Sequence, residues 1–130
     1  MTKEEHIEYW INSANDDYKI FELLFNNAKY LYSFFIGNLV IEKIIKAFWV
    51  RDNQENIPPK THNLIYLIKQ TKIKLSEDDL LFCTRFNDFQ IQGRYPDYQN
   101  KIKQILTPET INELKTKFEE LRLCLLNMIA

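Results

Sequence analysis

Glycine is nearly missing from this chain of 130 residues: there are two, Gly37 and Gly93, alongside only four prolines. Neither glycine belongs to a phosphate-cradling GxxxxGK[ST] or GxGxxG loop. The two histidines cannot supply a three-histidine zinc site, and HExxH and paired CxxC are also missing. Cys83 and Cys124 stand alone among apolar neighbours, so they read as reduced, buried small hydrophobes of a cytoplasmic protein. The start, MTKEEHIEYW, lacks the apolar stretch of a secretory signal. The most apolar segment, YLYSFFIGNLVI at residues 30–41, falls well short of the ~20 residues of a membrane span. What is present is apolar bulk: 45% hydrophobic and 14% aromatic residues exclude disorder and give one domain, 1–130, a real core.

The net charge of −1 conceals an uneven spread. Residues 1–27 hold two lysines against six acids, whereas residues 43–74 hold seven cations against Asp52 and Glu55. A basic middle suits an anionic ligand or an acidic partner, and equally a solvated helix face.

Apolar periodicity is helical throughout, and no segment alternates with period two. Ile7, Trp10, Ile11, Ala14, Tyr18, Phe21 and Phe25 form one stripe of a helix expected over Lys3–Asn26, with Thr2 and Glu5 as a capping box. Residues 30 to about 52 are apolar nearly all round, which places that helix at the centre of a bundle. Its polar exceptions Asn38, Glu42 and Lys46 recur every four residues, either as a Glu42–Lys46 pair or as the lining of a cleft. Pro58-Pro59 marks a loop. Thr61 is the expected cap of a short third helix with Leu64, Ile65, Leu67 and Ile68 inward. Ser76 caps a fourth, running to about residue 91 with Leu80, Leu81, Cys83, Phe86 and Phe89 inward. Pro96 then breaks the chain at GRYPDYQN, and YQNKIKQIL reads as a short helical turn. Thr107 and Pro108 open a last helix with the stripe Ile111, Leu114, Phe118, Leu121, Leu125 and Met128. The expected architecture is all-α: a compact up-and-down bundle of four main helices plus one or two short ones.

Four pieces of sequence then resemble a known family when taken in order. They are the early Trp10 leading to DDYKIFELL, FIGNLVIEKIIKA at residues 35–47, PKTHNL at residues 59–64, and RYPD at residues 94–97. Together the chain resembles the HEPN (higher eukaryotes and prokaryotes nucleotide-binding) domain family, in its RYPD-containing branch. Where that family often carries two glutamines before Ala-x-Glu-Lys, this chain has Asn38 and Leu39, with Val40 for the alanine. Ribonuclease members use R-x(4–6)-H on one helix, a histidine for proton transfer and an arginine for the phosphate. Here the sole arginine ahead of a histidine is Arg51, ten residues and two prolines before His62, so that motif is missing.

The resemblance therefore implies a nucleotide- or nucleic-acid-binding protein with no catalytic residues and no cofactor. It implies a homodimer and a partner protein, a small nucleotidyltransferase, in a two-gene toxin–antitoxin or stress-defence pair. The candidate ligand-binding residues are Lys43, Lys46, His62, Arg85, Arg94, Tyr95 and Asp97, with no metal ligand. Each has a plain alternative: a Glu42-paired or solvated face for the lysines, fixing of the Pro-Pro loop for His62, pairing with Asp79 or Asp88 for Arg85, and an Arg94–Asp97 pair or a capping Asp97 at the break. Two further readings compete, a purely structural dimerising module and an RNase with an atypical site built from Arg94, His62 and a lysine.

Overall fold

The structure is a computed structural model that describes residues 1–92, 104 and 106–130. The break at residues 93–100, with Arg94, Tyr95 and Asp97, lies outside the described residues, as does most of the turn expected after it. Six helices are described: α1 (Lys3–Asn26), α2 (Tyr30–Asp52), α3 (Leu64–Lys69), α4 (Glu77–Phe86), α5 (Phe89–Gln92) and α6 (Pro108–Ile129). The described residues contain no strand, and none of their helices is long and apolar enough to cross a membrane. This is the all-α bundle that the periodicity predicts.

The helix starts follow from side-chain chemistry. Thr2, Ser76 and Thr107 each accept a backbone N–H three residues on, and Pro108 occupies the first turn of α6, where its missing amide costs nothing. α3 departs from expectation: its cap is Asn63, whose side chain accepts from the Tyr66 amide, while the Thr61 hydroxyl serves the Asn63 amide just before the helix. The turn from α1 to α2 is made without glycine. Ala28 takes it at φ 60°, a left-handed conformation that costs an L-residue about 1–2 kcal/mol.

α2 is the axis of the bundle, with fifteen of its 23 residues buried. Lys3 fixes the antiparallel α1–α2 pair by donating to the carbonyls of Val50 (2.6 Å) and Asn53 (2.7 Å), so an ammonium sits where the α2 dipole is negative. α6 runs antiparallel to α1: Lys115 lies over Phe25, Phe118 packs on Phe21, and Arg122 stacks 3.5 Å from the Tyr18 ring. Phe21, Phe34, Phe86 and Phe118, one from each main helix, form an aromatic cluster with centroids 4.5–6.3 Å apart. Each such pair adds about 0.5–1.5 kcal/mol beyond its area burial. Gly37 lies under this cluster, and a Cβ there would stand 3.1 Å from the Phe86 ring and 3.3 Å from those of Phe118 and Phe21.

Three expected core positions face outward instead. Leu81 is 56% exposed, Met128 is 41% exposed and Cys124 is exposed, whereas Cys83 is fully buried. Leu81 and Cys124 each adjoin a buried residue, Phe82 and Leu125, and one helical step of 100° carries a side chain off the buried stripe. On the last turn of α6, Ile129 takes the packing role given to Met128. The fourth helix also stops sooner than expected, at Phe86 rather than near residue 91, because Asn87 turns its side chain to other partners.

Candidate functional site

The polar stripe of α2 is buried: Asn38, Glu42 and Lys46 are 0%, 3% and 7% exposed. Buried polar groups persist only when paired, and each of these is. Lys46 Nζ lies 3.1 Å from one Glu42 oxygen, the i,i+4 pair that the spacing predicts. The other Glu42 oxygen accepts from His62 Nδ1 at 2.8 Å. His62 precedes α3, twenty residues further along, so the carboxylate ties the loop after α2 back onto α2. Donating from Nδ1 to the carboxylate fixes the tautomer and the plane of the ring. The imidazole edge is 51% exposed while its carboxylate partner is sealed from water.

Lys46 completes the cluster by placing its ammonium 5.3 Å from the centroid of Trp10, within cation–π range. Trp10 also lines an apolar hollow of about 220 Å³ with Tyr9, Ile57 and Pro58. That volume is below the ~300–1,000 Å³ of whole drug-sized sites and suits one ring system.

Towards α4 the seam continues through residues that the sequence reading did not single out. Asn38 donates to the Phe86 carbonyl (2.8 Å) and accepts from Gln90 (2.9 Å). Asn87 donates to the His62 carbonyl (2.8 Å) and accepts from the Leu64 amide (2.9 Å). Asn38, Glu42 and Lys46 are thus satisfied between helices and do not wall an open cleft, while the buried Gln90 Oε1 has no partner among the described residues. The only advance signal for Asn87 was its polarity within an apolar helix pattern.

The other candidates stand apart from this cluster. Lys43 is held by Asp17 (2.7 Å) and Ser13 (2.7 Å) of α1, an interhelical tether. Arg85 pairs with neither Asp79 nor Asp88: Asp79 faces Lys117 (3.7 Å), and Arg85 lines a groove between α4 and α6. The basic middle does not form one surface of seven cations. Lys43, Lys46 and Arg51 are spent on Asp17, Glu42 and Asp52, which leaves Lys60, Lys69, Lys72 and Lys74 exposed.

Cys83 is not placed to act as a nucleophile. Burial, with help from the Asp79 charge, pushes the Cys83 thiol up to about 12, far from the thiolate a nucleophile needs. Among the described residues no group of three or more His, Cys, Asp or Glu is placed to hold a metal. The cluster can orient an imidazole, present positive charge and offer an indole face.

No curated protein and no solved structure matches the chain. A family model, described as HEPN domain, matches residues 7–128.

Proposed function

The chain belongs to the HEPN domain family, a membership that supports a nucleotide- or nucleic-acid-related function, and from that premise we propose that it binds a nucleotide or RNA without catalysing a reaction itself. In this reading it acts in the cytoplasm as a homodimer. It forms one half of a two-gene toxin–antitoxin or stress-defence pair, whose other half is a small nucleotidyltransferase that supplies any catalysis. HEPN domains commonly dimerise, in keeping with the homodimer.

The observation that carries the binding role is the convergence of Lys46 and His62 on buried Glu42, beside the Trp10 hollow. A phosphate would meet the exposed edge of His62 with Lys46 adding positive potential behind it. A base would stack on the indole, a contact worth about 1–3 kcal/mol. Arg94 and Tyr95 of the RYPD segment belong to the same proposed ligand set.

Fluorescence anisotropy with labelled ATP and a short labelled RNA tests this reading. The wild type is expected to bind at least one of them. His62→Ala should weaken that binding about tenfold, the worth of one charged hydrogen bond, while Lys69→Gln on α3 leaves it unchanged. No binding of either ligand at millimolar concentration would sink the reading.

A second reading draws on one specific feature, an imidazole oriented by a buried carboxylate, which is how general bases are commonly held. RNA cleavage that survives metal chelation and disappears in His62→Ala would favour an RNase with an atypical site.

A further inference from the structure

Helix α4 carries an acid in its first turn and a base in its last, which suit its own dipole but leave both side chains open to a partner. Asp78 and Arg85 are exposed, and neither makes an ion pair or side-chain hydrogen bond among the described residues. They are seven positions apart, about 10.5 Å along the helix axis, so they cannot satisfy one another. Between them lie Leu81, 56% exposed, and Phe82, a core residue only 7% exposed. These four residues line a groove of about 600 Å³ whose far wall is α6, and the Lys117–Asp79 pair bridges the two helices. A projecting Leu81 above a groove floored by Phe82, with charges at the ends, has the form of a helix-docking groove.

We propose that this groove is the homodimer face and that its occupant is α4 of a second copy. About a twofold axis, each contact made by one chain is repeated by the other with the residues exchanged. Two α4 helices laid antiparallel, with the axis passing between Leu81 and Phe82, bring Asp78 against the partner's Arg85 and Arg85 against the partner's Asp78. Leu81 then meets the partner's Phe82 at the centre. One helix supplies the acid, the base and the apolar middle, so the α4 strip is complementary to itself, while Glu113, Lys117 and Glu120 of α6 line the rest of the groove. Any other partner would have to reproduce that order of charges, whereas a second copy has it by construction. The inference deepens the homodimer reading above and rests on it.

Light scattering at micromolar concentration, with circular dichroism as the folding control, tests the face. The wild type is expected to be a dimer. Arg85→Glu sets two acids against each other at both ends and Asp78→Arg sets two bases there, so each should weaken association about a hundredfold and give folded monomers. Mixing the two monomeric variants should restore a dimer, because every cross-chain pair is then opposite in charge. The double variant Asp78→Arg/Arg85→Glu should also dimerise, although a base at the start of α4 and an acid at its end oppose the helix dipole. Restored association therefore cannot come from a more stable helix. If the single variants remain dimers, or their mixture stays monomeric, the α4 face is wrong while the homodimer stands. A monomeric wild type would overturn both.

Discussion

Glu42 shows how much one side chain can specify. Removing a carboxylate from water costs several kcal/mol unless partners compensate, and here Lys46 and His62 occupy both oxygens. The i,i+4 half of that arrangement was legible from spacing alone. The His62 half was not, because a residue twenty positions away reaches Glu42 only through the path of the loop. The cysteines teach the converse. Both sit among apolar letters, but Cys124 lies one helical step from Leu125 and faces water, while Cys83 is enclosed. Ellman's reagent should therefore label one thiol per native chain within minutes and the second only after denaturation, and Cys124→Ser should abolish the native labelling. Rapid native labelling of two thiols would contradict the burial of Cys83, whose raised pKa independently slows attack.

At the scale of elements, α1 and the Thr107–Pro108 start of α6 were readable because their caps and stripes are local, and α2 because it is apolar nearly all round. The end of α4 was not, since Asn87 leaves the helix to serve His62 and Leu64, partners from another part of the chain. The end of α2 makes a similar distant link through Asp52. Its carboxylate accepts from the Lys72 amide (2.8 Å) and from Arg51 (2.8 Å), fastening the segment after α3. Burial alone would raise this carboxyl, but the hydrogen bonds from Arg51 and the Lys72 amide outweigh it and hold the group below its ordinary range. A depressed folded-state value means that the stabilisation is complete above about pH 4, the unfolded range, and is lost as pH falls below it. Thermal melts should accordingly show the wild type losing its advantage over Asp52→Asn as the pH falls below about 4. A gap between the two that stays constant on acidification below that pH would refute the assignment.

For the molecule as a whole, the meeting of four helices over Gly37 is the most sensitive point. Alanine there gains about 1 kcal/mol of helix propensity. Its Cβ, however, must displace three packed rings, and overpacking of that kind costs about 1–3 kcal/mol. Gly37→Ala is expected to lower Tm by a few degrees, measured by calorimetry. A rise in Tm would mean that the rings yield freely. The family's fold was legible at this scale because the bundle pattern spans the chain. The proposed relation between copies was not, because it rests on which of α4's faces α6 leaves uncovered.

Gly37 also solves an orientation problem. A helix that is apolar nearly all round gains about the same burial at many rotations about its axis, so greasiness alone cannot choose among them. A missing side chain can. The notch admits three rings at one angular setting and one height along α2, and the Asn38–Glu42–Lys46 seam beside it penalises every other setting with orphaned polar groups. The bundle is keyed as well as filled, and the key is cut from one of the chain's two glycines.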